Sequence, residues 1–152
     1  MNIFKDLLSN FCLISIACAW IFAQVIKIFT GVFQEEKFSM LKFICGTGGM
    51  PSSHSATVSA LVVSSAWQFG LASFELAVSV LLAIIVMRDA TGVRLETGKQ
   101  AKIINQIVPE LKGDFQSNLK ELIGHTPLQV FVGALLGALV AIVLKFVAYP
   151  TI

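Results

Sequence analysis

TPLQVFVGALLGALVAIVLKFVAY, running from Thr126 to Tyr149, decides the class of this chain. Its one charged residue is Lys145, and crossing the hydrocarbon core of a bilayer takes about 20 predominantly apolar residues. The run opens as a helix should. Thr126 and Gln129 form a Thr-x-x-Gln capping box around Pro127 at the first helical position. Gly133 and Gly137 lie four residues apart on one face, a helix-packing signature through which a second copy of the chain could also pair.

Working outward, the same reading finds three more spans. The first runs from about Asn10 to Phe33 and is interrupted by Gln24 and Lys27; the second runs from His54 to about Leu71; the third runs from about Ser73 to Met87. A tight turn near Gly70 makes the second and third an antiparallel hairpin. The 152 residues are 56% hydrophobic and 13% charged, against about 25% charged in soluble domains. We therefore expect an all-α integral membrane protein, a single membrane domain over residues 1–152 built as a four-span helical bundle. Lys5, an apolar stretch and Ala17-Cys18-Ala19 imitate a signal peptide, but the apolar run continues past them, so it reads as a retained span. Cys12, Cys18 and Cys45 follow no metal-ligand spacing and read as small hydrophobes. The net charge of +2 implies no nucleic-acid partner.

Residues 88–125 separate the third span from the fourth and hold 11 of the 20 charged residues. Ile103, Ile104, Ile107, Val108 and Leu111 recur there at helical spacing, which predicts an amphipathic helix ending near Pro109 that lies on the membrane or lids the bundle. With four spans, both termini share one side with Lys5 and Lys145. Lys37, Lys42, Arg88, Arg94, Lys99, Lys102, Lys112 and Lys120 fall on the other. Eight basic residues against two make the loop side cytoplasmic and the termini outside, in the cell membrane.

That topology carries both histidines of the chain, His54 and His125, to the cytoplasmic end with Asp89 and Arg94. His54 follows Gly46-Thr47-Gly48-Gly49-Met50-Pro51-Ser52-Ser53, a pliant approach ending in a helix start whose free N–H groups attract anions. The plainer reading is that Ser-Ser-His caps a membrane helix; for His125 it is an interfacial histidine. Two imidazoles with pKa near neutrality suit nucleophilic attack on phosphorus and protonation of the departing oxygen. Fixed donors must then hold the phosphate oxygens. The candidates are Ser52, Ser53, Arg94 and Lys42, with Lys27 deeper. Lys27 is either a functional intramembrane charge or a side chain that snorkels outward. Asp89-Ala90-Thr91-Gly92-Val93-Arg94 reads as a helix exit broken at Gly92, where Asp89 could orient a histidine, hold a divalent cation or pair with Arg94. Gly98-Lys99-Gln100 lacks the spacing of a nucleotide-binding loop.

Pro51-Ser52-Ser53-His54 resembles the Pro-Ser-Gly-His motif of the type-2 phosphatidic acid phosphatase superfamily, which also includes the vanadium-dependent haloperoxidases. His125-Thr126-Pro127-Leu128-Gln129 resembles its His-x-x-x-Asp motif. Together with Val86-Met87-Arg88-Asp89-Ala90-Thr91-Gly92-Val93-Arg94, these strings are similar to the divergent branch of that superfamily, over nearly the whole chain. The resemblance implies an acid-type lipid phosphate phosphatase that needs no metal or other cofactor, with His125 as nucleophile and His54 as general acid. This chain departs from the pattern at several points. No proline follows an arginine, so the Lys-x6-Arg-Pro motif is missing. The arginine expected six residues before the nucleophile is Leu119, beside Lys120. The orienting aspartate is Gln129. Bacterial lipid phosphatases of the family commonly work outside the cytoplasm, whereas the charge count faces this site inward.

The expectation is a membrane phosphatase hydrolysing a phosphate or diphosphate on a lipid or isoprenoid. Asp89, Gln129 and Lys27 support the site, and homo-oligomers form through Gly133/Gly137. Two alternatives remain beside it: a non-catalytic binder or carrier of phosphorylated headgroups, and a metal-dependent enzyme built on Asp89.

Overall fold

The computed structural model describes residues 3–30, 49–108, 119 and 124–150, and every regular element among them is helical. These are α1 (Ile3–Ser9), α2 (Phe11–Phe29), α3 (Ser53–Phe69), α4 (Phe74–Thr91), α5 (Val93–Ile107) and α6 (Pro127–Val147). Local chemistry sets most of the boundaries. Asn10, Ser52, Ser73 and Thr126 each accept a hydrogen bond from a backbone N–H in the first turn of α2, α3, α4 and α6. Thr126 and Gln129 complete the expected capping box reciprocally. Gly70 ends α3 at φ +87°, a left-handed conformation that favours glycine, and makes the expected hairpin to α4.

α2 and α4 run in one direction, α3 and α6 in the other. Cys12 at the start of α2 donates to Gln68 at the end of α3 at 3.2 Å. Thr30, capping the other end of α2, donates to the Met50 carbonyl just before α3 at 3.0 Å. The end of α6 returns to the first helices, where the Tyr149 hydroxyl donates to Leu8 O at 2.7 Å and its ring lies 5.1 Å from that of Phe11. Lys145 closes the same end by donating to the carbonyls of Tyr149 and Pro150.

α3 is the hub and packs against α2, α4 and α6. Ala56, Ala60 and Ser64 recur every fourth residue and are fully buried, so α3 presents almost no side-chain bulk to its neighbours. They meet Ala19 and Ala23 of α2 and Val140 and Ala141 of α6 in a core of small residues. The closest approach is to α6. A Cβ on Gly137 would stand 1.9 Å from the Ala56 carbonyl oxygen, and one on Gly133 would stand 2.4 Å from that of Ser52. The glycine face expected to pair copies is therefore filled by α3 of the same chain, because only glycine admits backbones this close. Buried hydroxyls add polar links; with Ser79 donating to Glu75 O, Ser65 donates to Ser79 at 3.0 Å across α3 and α4.

Apart from Phe11, most large apolar side chains point outward. Phe131, Leu135, Leu139 and Phe146 form an exposed stripe on α6, as do Phe74, Leu81 and Ile84 on α4. Small residues inside and large ones outside is the pattern of helices packed in lipid, where association relies on close contact rather than on hiding apolar surface.

Among the described residues three stretches are long and apolar enough to cross a membrane: Phe11–Phe29, Phe74–Ile107 and Pro127–Val147. The first span ends as a helix at Phe29, with Thr30 as its cap; Phe33, where the sequence placed its end, lies outside the described residues. α3, expected as the second span, has only 17 residues, about 25 Å at roughly 1.5 Å each, and five of them are serine. The expected break at Gly92 is present, and the amphipathic helix starts there, at Val93, well before the isoleucines that suggested it. It ends at Ile107; Leu111 lies outside the described residues. Cys12 and Cys18 are free thiols, buried and half-buried, as small hydrophobes would be; Cys45 lies outside the described residues.

A Gly137→Val substitution drives a side chain into the Ala56 carbonyl, so it should cost several kcal/mol, in the range of core overpacking or beyond, and remove the monodisperse peak in detergent gel filtration. Leu139→Ala on the outer stripe should shift the thermal midpoint little. Equal tolerance of both would show that the α3–α6 contact is not close.

Candidate functional site

α3 and α6 begin side by side, and the capping geometry holds them there. The Ser52 N–H donates to the Gln129 carbonyl at 3.1 Å, tying the cap of α3 to the first turn of α6. The His125 N–H donates to Ala90 O at 3.0 Å, tying the entry of α6 to the last turn of α4. Gly124 makes that entry possible. Its φ is +117°, and a Cβ there would lie 2.6 Å from the Leu95 nitrogen, so only glycine lets the chain pass α5 and deliver His125.

These ties gather His54, Asp89, Arg94 and His125 around one cavity of about 200 Å³, with Ile85, Val86, Ala90 and Gly124 completing its wall. The imidazole centroids are 6.3 Å apart and the rings are inclined at 57°. His54 is exposed and His125 almost wholly buried. The expected convergence of both histidines, Asp89 and Arg94 at one end is what the fold produces. Asp89 and Arg94 pair directly, both half-exposed, so that part of the wall is an ion pair and not a lone cation. Among the described residues no three His, Cys, Asp or Glu side chains cluster as metal ligands.

Gln129 does two things at once. Its Oε1 accepts the Thr126 N–H at 2.9 Å, which fixes the orientation of the amide, and lies 3.4 Å from His125 Nδ1. A carboxamide oxygen only accepts, so the proton of His125 sits on Nδ1 and Nε2 keeps its lone pair. The cap that starts the helix also sets the tautomer.

Ser52 and Ser53, expected to hold phosphate, stand behind the cavity wall. Ser52 is fully buried, and its hydroxyl accepts from both the N–H and the hydroxyl of Ser55, which occupies it as a cap. The Ser53 hydroxyl accepts from Lys27 Nζ at 3.3 Å. Lys27 does not snorkel: it is 1% exposed and turns inward to the start of α3. Lys42 lies outside the described residues. The sequence reading passed over the roles of Gly124, Ala90, Ile85 and Val86. Gly124 alone carried a signal, as the glycine directly before the histidine; the others contribute through position in space.

Burial, and next the charge of Lys27, push the His125 imidazole down to about 4; the bond from Gln129 opposes this, while His54 and Arg94 push further down. The ring is therefore neutral at pH 7, as a nucleophile must be. Imidazole NMR should show His125 titrating near pH 4 in the folded protein. Between pH 6.5 and about 4 an unfolded chain binds a proton that the folded one refuses, so this group's contribution to stability falls as pH falls through that window. Gln129→Glu keeps the capping box and places a carboxylate beside Nδ1, so it should raise the titration midpoint; an unchanged midpoint would break the assigned contact. Gly124→Ala should perturb the His125 resonances more than its small size suggests.

No solved structure matches this chain. The uncharacterized membrane protein YuiD of Bacillus subtilis (strain 168) is 44% identical over 155 aligned residues, which cover 93% of this chain and 98% of YuiD. The Divergent PAP2 family matches residues 8–140, a region that takes in both histidines, the Asp89–Arg94 pair and Gln129. A multi-pass helical membrane protein with this match over most of its length belongs to the Divergent PAP2 family.

Proposed function

We propose that this protein is a membrane phosphohydrolase that removes a phosphoryl group from a phosphate or diphosphate ester of a lipid, using His125 as nucleophile. The observation that carries the reading is the pair of imidazoles on one cavity, with Gln129 leaving Nε2 of His125 free. Nε2 attacks phosphorus, the N–P bond forms, and the bond to the leaving oxygen breaks. His54 gives that oxygen its proton. Water, deprotonated by His54, then attacks the phosphohistidine and releases inorganic phosphate and the neutral imidazole. Arg94, shared with Asp89, offsets the growing charge on the phosphoryl oxygens.

In this reading all four long helices cross the membrane. α3 does so despite its serines because α2, α4 and α6 cover it, and its buried hydroxyls find partners within the bundle. Lys5 and Lys145 then share one side, while Arg88, Arg94, Lys99 and Lys102 share the other with the site, which makes the site cytoplasmic. The neutral Gln129 and the engagement of Arg94 by Asp89 favour a second reading, a carrier that holds a phosphorylated headgroup without turning it over.

Purified protein should release phosphate from at least one member of a panel of phosphatidates, isoprenyl phosphates and isoprenyl diphosphates. His125→Ala should reduce this to background, and His54→Ala should slow it by about 10²–10⁴-fold. The acid limb of kcat/KM should lie near the low pKa of His125 rather than at the usual 6.5. Equal turnover by His125→Ala would remove the nucleophile assignment; saturable headgroup binding with no release across the panel would favour the carrier.

A further inference from the structure

Two lysines are buried among the described residues, and they are treated differently. Lys145 places its ammonium on two backbone carbonyls at the far end of the bundle. Lys27 has one hydroxyl, that of Ser53 at 3.3 Å. The ion pairs among the described residues join Arg94 to Asp89 and Lys99 to Glu96, and no described carboxylate pairs with Lys27. Taking an ammonium out of water costs several kcal/mol unless an opposite charge or a full set of acceptors replaces the solvent.

The surroundings add positive potential instead of balancing it. Lys27 lies against the first turn of α3, a 17-residue helix, and the first turn of the 21-residue α6 is tied to the same cap. Both helix N-termini carry partial positive charge. Three positive poles therefore meet at the helix starts that carry His54 and His125, and Asp89, the one carboxylate among the described residues that line the cavity, is paired with Arg94. Such an arrangement is completed by an anion.

We propose that the buried ammonium of Lys27 is the electrostatic partner of the phosphoryl group that the cavity takes, a fixed positive pole on the side of the cavity formed by the starts of α3 and α6. The proposal rests on the phosphate-handling reading above and deepens it: affinity for the phosphoryl group comes from a charge behind the wall as much as from Arg94 on its surface. Lys27 acts through its field across Ser53, and so is a positioning residue that draws in the anion rather than a catalytic one. The same charge is, after burial, the largest influence holding His125 neutral. An incoming phosphate dianion offsets it at the moment when His125 must accept positive character.

The experiment measures binding, so it does not depend on turnover. Inorganic phosphate and a short-chain phosphatidate are each titrated, by calorimetry or phosphorus NMR, into detergent-purified wild type, Lys27→Met, Ser53→Ala and the exposed control Lys99→Met. Lys27→Met should weaken both ligands at least tenfold, while its thermal midpoint stays level or rises because a buried charge has been replaced by a chain of similar shape. Ser53→Ala removes the hydroxyl and keeps the charge, so it should retain most of the affinity, as should Lys99→Met.

His125, faced by Lys27 from α2, His54 from α3, Asp89 from α4, Arg94 from α5 and Gln129 on its own helix, should titrate higher in Lys27→Met. Loss of phosphatidate binding alone would mean that Lys27 supports the lipid moiety and would overturn the proposal. So would equal losses in Lys27→Met and Ser53→Ala, since the role would then be structural, or Lys27→Met affinity within twofold of wild type. Wild type that binds phosphate through Lys27 yet hydrolyses nothing would leave this proposal standing and remove the hydrolase reading.

Discussion

The close approach of α6 to α3 is the constraint on which the rest of the structure depends. Gly133 and Gly137 let the backbone of α6 lie almost on that of α3, against the carbonyls of Ser52 and Ala56. At that separation the two helices start together, and the Ser52 N–H can reach the Gln129 carbonyl. His54 and His125 each sit within two residues of those starts. Their separation is therefore set by glycine packing along the shared length of the helices, not by any contact between the rings.

Packing of this kind has a cost that the bundle meets with hydrogen bonds. Small side chains bring helices close but fill little volume, and serines in the core need hydrogen-bond partners, which every buried serine among the described residues except Ser15 finds. Ser64 donates to the turn before it, Ser65 to Ser79, and Cys12 to Gln68. At the cavity end the polar groups serve two purposes together. Gln129 caps α6 and orients His125; Ser53 opens α3 and receives Lys27. Substitutions there will seldom separate stability from function, which is why Gln129→Glu, keeping the cap, is more informative than removal of the side chain.

Much of the fold was legible because its determinants are local. Asn10, Ser73 and Thr126 cap the helices that their side chains announce, Gly70 makes the turn that its missing Cβ permits, and Gly92 breaks the chain where expected. The convergence of the histidines with Asp89 and Arg94 was legible too, because helices of alternating direction leave one end for all of them. Hydropathy was a weaker guide to α3. A helix covered on several sides by its own chain does not need the composition of one facing lipid, so its serines lower the signal without removing the helix from the bundle. The roles of Ser52 and Ser53 were not legible, since a hydroxyl at a helix start looks the same whether it faces a ligand or a neighbouring turn.

The sequence by itself determined the helical class, the membrane setting, most helix ends and the identity of the polar groups at one end of the bundle. Those follow from composition, periodicity and capping, each acting over a few residues. Only the tertiary structure decided what those groups face. The Gly133/Gly137 face turned inward to α3, Asp89 took Arg94, Gln129 took Nδ1 of His125, and Lys27 was shut behind Ser53 without a carboxylate. Burial and pairing depend on which helix lies opposite, at what distance and in what register, and no run of adjacent residues encodes that.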